Sequence, residues 1–496
     1  MSFFEMIGRA KSLFCGDGER ALTVDRRDVR LPRWGGRIVR RVIGISARGL
    51  ACFVIFEMAV ATPLIEAAHE DALVKVRALV EAGALVDEAN RYGVRPLAIA
   101  CEKGHLELVE ILLENKADPN AAQAGNETLL MTAARTGKVE IVKRLVAAGA
   151  RVNEKEHHQQ TALMWAAAEG HAEVVRFLLE KGAEFQKPLQ SGFTPLLFAV
   201  RQGHLEVAKL LIEKGADVTE ASEPKGGGRK RIDSGTAPLV LSIENGHFDL
   251  AAMLLDKGAD PNDQRSGHAP LHVLSWVRKS VKGDGDDGLP TPRGSGKITS
   301  LEFVKVLVKY GADPNLRLKG GRGGTALVGR KGATPFLLAA ETADLEFMKT
   351  LIEVGADATI ANHTGTTPLL AAAGMGVTAP GEEAGTVEEA MEVVRFLTEL
   401  GADINGKDRR EETVMHAAAY KSAPQMIRLL DELGADISSW NQKNKSGWTP
   451  LLITQGFRPG NFRPIATTEA ALVEVMKKHG VETPPAPKRE KKIGYE

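Results

Sequence analysis

The sequence predicts an all-α solenoid of stacked helix-turn-helix units joined by turn or hairpin tips. Three observations support this fold class: one motif recurs along most of the chain, each copy contains two segments with helical spacing of apolar residues, and only 5% of the 496 residues are aromatic. A β-sandwich would need more aromatic and β-branched residues. Self-similarity at a fixed period indicates an array in which each unit contacts mainly its neighbours.

The recurring motif has a period of 33 residues in the first half of the chain. Its first five copies read TPLIEAA, RPLAIACEKGH, TLLMTAARTGK, TALMWAAAEGH and TPLLFAVRQGH, and they begin at Thr62, Arg95, Thr128, Thr161 and Thr194. The later copies have wider spacing, which indicates inserted loops. They begin at Ala237, Ala269, Thr334, Thr367, Thr413 and Thr449, which makes eleven units.

Residues 161–193 show how one unit is expected to fold. Thr161 is a predicted N-cap for a short, alanine-rich first helix. Gly170 and His171 end that helix and start a second one, AEVVRFLLEKG, whose apolar residues recur at helical spacing. Gly182 ends the second helix, because a left-handed cap is least costly for glycine. Such a short helix pair cannot bury its apolar face alone, so each unit must stack on the next.

These motifs resemble the ankyrin-repeat family, whose pattern is a turn, T-P-L-H-x-A-A-x-x-G-H, a second helix and G-A-D-x-N. The first part is matched most fully from Thr194, and the last part from Gly258, Gly311 and Gly401. The resemblance covers about residues 62–480. Two units depart from the pattern. The eighth has AETADLEF where Gly-His is expected, and the long eleventh is interpreted as a C-terminal cap.

Four segments interrupt the period and are rich in glycine and charge, which favours solvated loops. They cover residues 220–235, 278–297, 317–333 and 374–386. Residues 481–496 are proline-rich and charged, and we expect a flexible tail there.

The sequence predicts no catalytic residue, no cofactor and no metal. Its three cysteines lack metal spacing, and no nucleophile has a recognisable base. GSGKITS, at residues 294–300, lacks the spacing of a phosphate loop, and the adjacent His157 and His158 are expected to diverge on a turn. The 64 basic residues balance 64 acidic ones, so nothing indicates a nucleic-acid partner.

The family resemblance implies a surface that binds a protein partner. In ankyrin repeats the turn tips and the start of the first helix line a concave groove, so the matching positions in units two to five are candidate contacts. Arg91, Tyr92 and Phe193 are of types that often become interface hot spots. The full candidate set is Arg91, Tyr92, Glu102, Lys103, Arg135, His157, His158, Gln160, Glu169, Gln190, Phe193, Arg201 and Gln202.

Three functions remain open at this point. The first is a non-enzymatic scaffold that binds a protein through the concave face. The second is a small-molecule binder or enzyme whose inserts roof the groove, and a deep polar pocket beneath the inserts would favour it. The third is a membrane-tethered scaffold, which depends on the segment before Thr62. That segment has no uninterrupted apolar run long enough for a stable membrane span.

The amino-terminal segment has features of an export signal. In residues 37–61, arginines precede an apolar run that closes on Ala59 and Ala61, the small-residue form of a signal-peptidase site. Residues 1–36 are too long and polar for an ordinary leader, so we interpret them as poorly structured or absent from the natural product, with translation starting near Val39. The predicted localisation is periplasmic or secreted. The alternative is a cytoplasmic protein whose apolar run caps the first unit.

Sequencing the amino terminus of the protein from its natural source tests the export prediction. We expect a mature chain that begins near Thr62, because a signal peptidase would cut after Ala61. A natural protein that retains Met1 would contradict this prediction.

Overall fold

The computed structural model describes residues 63–223, 234–279, 292, 294–320, 329–377, 380–381, 383–457 and 464–484. The predicted leader at 37–61, the residues before it, the central part of each insert and most of the tail lie outside the described residues.

The described residues form 23 α-helices, and the first twenty alternate between the first and second helix of a unit. The first helices are α1 (Pro63–His69), α3 (Pro96–Lys103), α5 (Leu129–Arg135), α7 (Ala162–Glu169), α9 (Pro195–Gln202), α11 (Pro238–Glu244), α13 (Pro270–Arg278), α15 (Pro335–Glu341), α17 (Pro368–Ala373) and α19 (Val414–Lys421). The second helices are α2 (Leu73–Glu81), α4 (Leu106–Glu114), α6 (Val139–Ala147), α8 (Ala172–Glu180), α10 (Leu205–Glu213), α12 (Phe248–Asp256), α14 (Ser300–Lys309), α16 (Leu345–Glu353), α18 (Val387–Glu399) and α20 (Pro424–Glu432).

The eleventh unit contains α22 (Pro450–Thr454) and α23 (Ala466–Lys478), and the short α21 (Ile437–Trp440) precedes it. Consecutive first helices contact one another, as do consecutive second helices from α2 to α10 and from α12 to α23. The predicted all-α array of helix pairs is confirmed. No helix in the described part of the chain is both long and apolar enough to span a bilayer.

The threonine at the start of a unit caps the first helix, as predicted. Thr161 Oγ1 accepts a hydrogen bond from the Met164 amide at 3.4 Å, and Thr194 Oγ1 accepts one from the Leu197 amide at 3.3 Å. These bonds satisfy amides of the first turn that have no partner within the helix.

The Gly-His motif both ends a helix and positions the next unit. Gly170 has a φ of 80° and ends α7. A Cβ atom at this glycine would lie 2.5 Å from Nδ1 of His204 in the following unit, so only glycine fits against the ring. His204 Nε2 lies 3.0 Å from the Ala168 carbonyl oxygen. The histidine thus joins the second helix of unit five to the first helix of unit four.

An asparagine in the G-A-D-x-N region joins neighbouring units a second time. Asn153 Nδ2 donates to the Gly182 carbonyl oxygen at 3.0 Å, and Asn153 Oδ1 accepts from the Glu184 amide at 2.8 Å. The same pair of bonds recurs at Asn120, Asn262 and Asn315.

The eighth unit replaces Gly-His with a turn and an ion pair. Ala343 adopts a φ of 53°, and Asp344 caps α16 by accepting a hydrogen bond from the Phe347 amide at 3.2 Å. Arg278 donates to both Asp344 carboxylate oxygens, at 2.7 and 3.0 Å. Since the Asp344 and Arg278 side chains are only 4% and 17% exposed, this pair replaces the histidine as the connection between units seven and eight.

The end of the second insert is exposed, as expected, and is hydrogen-bonded to the start of α12. His247 Nδ1 lies 2.8 Å from Ser295 Oγ, and the Asp249 carboxylate accepts a hydrogen bond from the Lys297 amide. Residues 294–297 are exposed, as expected for a solvated loop, and these bonds also hold them against α12. Backbone amides that a phosphate would need are used by Asp249.

Apolar residues of both helices in each unit form one continuous buried cluster. Leu178 of α8 lies within it and is 0% exposed. We expect Leu178→Ala to lower the free energy of unfolding by about 2–5 kcal/mol, because it removes buried contacts and leaves a cavity. Chemical denaturation of the variant and the parent measures this loss. An unchanged unfolding midpoint would contradict the stacked-core assignment.

Two histidines of the T-P-L-H position are also buried. His272 and His416 are 0% exposed, and their Nε2 atoms lie 3.2 Å from the carbonyl oxygens of Ala333 and Trp448, respectively, in the next turn. Burial disfavours the imidazolium and lowers the pKa of each histidine to about 4. Both histidines are therefore neutral in the folded protein at pH 7.

This lowered pKa predicts a loss of stability in mild acid. Below pH 6.5 the unfolded chain binds protons that the folded histidines do not, so stability falls as the pH drops from 6.5 towards 4. We expect a loss of about 2 kcal/mol for each histidine by pH 5. Urea unfolding at pH 7 and pH 5 measures it, with His272→Gln/His416→Gln as the control. An equal pH dependence in that variant would contradict the prediction.

Candidate partner-binding surface

The turn tips, meaning the residues between the second helix of one unit and the first helix of the next, are bonded to one another. The His157 amide donates to the Gly125 carbonyl oxygen of the preceding tip at 2.9 Å. Equivalent bonds join the amides of His363, Arg409 and Lys445 to the carbonyls of Lys331, Thr364 and Arg410. Neighbouring tips are thereby held in register beside the starts of the first helices.

A buried acceptor shapes several of these tips from within. Glu156, which is 8% exposed, accepts a hydrogen bond from the Gln160 amide at 3.0 Å. Asp408, which is 5% exposed, accepts from the amides of Arg410 and Glu412 at 2.8 and 2.9 Å. The sequence analysis missed these residues. The sequence could have indicated them, because each is a polar residue five positions before the threonine that starts the motif of its unit.

Most of the predicted contact residues lie on the surface of the tips and first helices. Arg135 and Gln160 are half-buried. The exposed members are Arg91, Tyr92, Glu102, Lys103, His157, His158, Glu169, Gln190, Arg201 and Gln202.

Phe193 is the exception among the predicted contacts. Its side chain is 4% exposed, because the ring turns back from the tip and packs against Phe198, with ring centroids 5.0 Å apart. The Arg201 guanidinium lies 5.5 Å from the Phe193 centroid and covers it. Phe193 therefore supports this surface from below, and Phe198, which the sequence analysis did not select, lies half-buried beside it.

The second tip presents an exposed aromatic residue paired with a cation. Asn90 Oδ1 accepts hydrogen bonds from the amides of Tyr92 and Val94 at 2.9 and 3.0 Å, which fixes the turn. The Tyr92 side chain is 64% exposed, and the Arg91 guanidinium lies 4.7 Å from its ring centroid. A large apolar face and a cation are thus available together to a partner.

The tips of units four and five bring several predicted residues into one groove. This groove has a volume of about 370 Å³, and its lining includes His157, His158, Gln160, Gln190 and Phe198. The two histidine rings are 5.4 Å apart and inclined by 70°. Within the described residues, no cluster of three or more His, Cys, Asp or Glu side chains is arranged to hold a metal.

A second groove adjoins the first on the side of Lys155 and Glu184. Its volume is about 290 Å³, and its lining also includes Met164 and Lys187. Lys187 and Glu184 form an exposed ion pair at 2.9 Å, which lowers the pKa of the Glu184 carboxyl through the hydrogen bond from Lys187. The walls of both grooves are polar, and their floor contains apolar side chains.

A third groove lies beside the described ends of the first and third inserts. Its volume is about 580 Å³. Polar residues line it, and they include Thr219, Asn262, Gln264 and Lys319. Asp263, at 7% exposure, pairs with Arg265 at 2.7 Å. The charges in this groove are therefore partly neutralised by one another.

Cys101 offers no reactive thiol. Its side chain is 0% exposed, and burial raises its pKa to about 12. Such a thiol stays protonated and behaves as a small apolar group. Among the predicted contact residues, the exposed side chains are cations, carboxylates, amides, imidazoles and the phenol ring of Tyr92.

Comparisons with known proteins match the repeats of this chain. A family model described as "Ankyrin repeats (3 copies)" matches residues 130–222 and 187–265. A second, "Ankyrin repeats (many copies)", matches residues 97–146 and 387–430.

A human protein is similar over a short segment. "Ankyrin repeat domain-containing protein 63" from Homo sapiens is 46% identical over 52 residues, which is 10% of this chain and 14% of that protein. The chain thus matches only about one seventh of this relative's length. Among solved structures, the crystal structure of the human ASB11 ankyrin repeat domain matches with a TM-score of 0.41 and 22% identity, over 53% of this chain and 99% of that one.

Proposed function

Because the chain is an ankyrin-repeat protein, we propose that it acts as a non-enzymatic scaffold that binds a protein partner through a concave face formed by its first helices and turn tips. The observation that carries this proposal is the groove between the tips of units four and five. Four predicted contact residues meet there: His157, His158, Gln160 and Gln190.

The physical character of this surface supports protein binding. Tyr92 and Arg91 present a rigid aromatic group and a planar cation, the types of side chain that contribute most to interfaces. The bond from the His157 amide to Gly125 and the bonds of Asn153 to Gly182 and Glu184 hold the tips around this groove in place before a partner arrives. Little conformational entropy is therefore lost on binding.

The alternative is a small-molecule binder or enzyme that uses the inserts. The polar groove beside Thr219 and Lys319 is the observation in its favour. Asp263 and Arg265 in this groove pair with each other, so they offer fewer free hydrogen-bonding groups to a small ligand. The side-chain amides and imidazoles in the groove of units four and five offer more. We therefore place the partner at the tips of units two to five.

Affinity purification with the tagged full chain, followed by binding measurements on the recovered protein, tests the proposal. We expect the combined change Tyr92→Ala/His158→Ala/Gln190→Ala to weaken binding about tenfold or more, because it removes an exposed aromatic anchor and two groove walls. Isothermal titration calorimetry measures the dissociation constant.

Arg144→Gln is the matched control. Arg144 lies on the second helix α6, is 57% exposed and pairs with Glu110 at 2.7 Å. We expect this variant to bind within about twofold of the parent, since an exposed ion pair contributes little. A partner that loses affinity with Arg144→Gln but not with the triple change would overturn the proposed face.

A further inference from the structure

Two arginines bracket a pair of half-buried aromatic rings on neighbouring first helices. Trp165 of α7 and Phe198 of α9 are 33 residues apart, and so occupy the same position in consecutive units. Three residues after that position in the repeat, α5 has Arg135 and α9 has Arg201, whereas α7 has the small residue Ala168. Since residues three apart on a helix share a face, these five residues form one row, here named the Arg-aromatic row.

Each guanidinium in the Arg-aromatic row lies over a ring. The Arg135 guanidinium carbon lies 5.9 Å from the Trp165 centroid, and that of Arg201 lies 5.5 Å from the Phe193 centroid. Stacking on a ring limits the rotamers of an arginine and leaves its N–H donors at the rim for a carboxylate. The cations are therefore partly ordered before any ligand binds.

The charges of this row are incompletely neutralised. Arg201 has no carboxylate within ion-pair distance among the residues that the structure describes. Arg135 has Glu127 at 3.6 Å, and both side chains are partly exposed, at 39% and 33%. These incompletely neutralised cations indicate a ligand that supplies negative charge.

The spacing of the row is set by the histidines behind it. The carbonyl oxygens of Arg135, Ala168 and Arg201 lie 3.0, 3.0 and 3.2 Å from the Nε2 atoms of the histidines of the next units. Packed helices lie about 8–10 Å apart, so the two arginines, two units apart, are separated by about 16–20 Å. An extended chain rises about 3.3 Å per residue. That distance corresponds to five or six residues of an extended peptide.

From this geometry we infer that the scaffold recognises an extended acidic segment of its protein partner, with two carboxylates five or six residues apart that pair with Arg135 and Arg201. An apolar side chain midway between the carboxylates packs on Trp165 and Phe198 above Ala168. The exposed Glu169 beside Ala168 repels a third acidic residue at the centre of the segment. This inference rests on the proposed protein-binding function and specifies its ligand.

A displayed library of random peptides of about twelve residues, selected on the full-length chain, tests the inference. We expect enrichment of sequences with two Asp or Glu residues at the stated spacing and an apolar residue between them. An enriched peptide, synthesised with a fluorescent label, then gives dissociation constants by anisotropy. Enrichment of sequences without the acidic pair, or no enrichment, would overturn the inference.

Charge-matched variants locate the binding. Arg201→Gln is expected to weaken the peptide complex about tenfold or more, whereas Arg144→Gln changes it by less than about twofold. Glu127→Gln is expected to tighten binding, because it removes the carboxylate that competes for Arg135. An affinity unaffected by Arg201→Gln would contradict the inference.

Failure of this inference is distinguishable from failure of the proposed function. If the recovered protein partner needs the groove residues Tyr92, His158 and Gln190 but binds Arg201→Gln as well as the parent, the scaffold function stands and the acidic-segment specificity is wrong.

Discussion

The asparagine bonds between neighbouring turns set the register on which every other feature of the array depends. Asn120 and Gly149 are 29 residues apart, and their bond is 3.1 Å long. Asn262 and Gly311 are 49 residues apart because an insert lies between them, and their bond is 2.8 Å long. This insert lies between α13 and α14, inside the helix pair of unit seven, whereas both bonded groups lie outside it. It therefore lengthens the path along the chain without removing the bond between the turns.

Two kinds of contact join the first helices to the next unit, and they differ in what they require. Between units three and six, a histidine packs on a glycine, and its Nε2 atom lies 3.0–3.2 Å from a carbonyl oxygen of the preceding unit. Between units seven and eight the buried pair of Arg278 and Asp344 takes this role, and Lys421 pairs with Glu383 further along, at 3.3 Å and 4% and 17% exposure. A buried ion pair needs both partners, because one alone leaves a desolvated charge.

The contacts that stabilise the array also position its binding side chains. The histidines of units four, five and six lie within hydrogen-bond distance of the carbonyl oxygens of residues 135, 168 and 201. These residues contribute three of the five side chains of the Arg-aromatic row. At these positions the backbone carbonyl contacts the next unit, and the side chain of the same residue belongs to the proposed binding surface. A partner that binds as proposed would meet groups whose spacing is already determined, so its affinity would depend on chemistry at each position more than on rearrangement.

Features that depend on residues close together in the sequence were predictable from it. The threonine caps and the glycine at the end of α7 depend on bonds between residues three to five positions apart, and the number of units follows from the repeated motif. The residues predicted as contacts in units two to five are exposed or half-buried, except Phe193. What only the tertiary structure decided depends on how side chains pack, whether their partners are near or distant in the sequence. Phe193 is buried because a ring and a guanidinium of the next helix cover it. Asp344 can replace a histidine because Arg278, 66 residues earlier, lies against it. A sequence pattern records which residue types a unit contains, but a side chain is assigned to core or surface by the neighbour that packs on it.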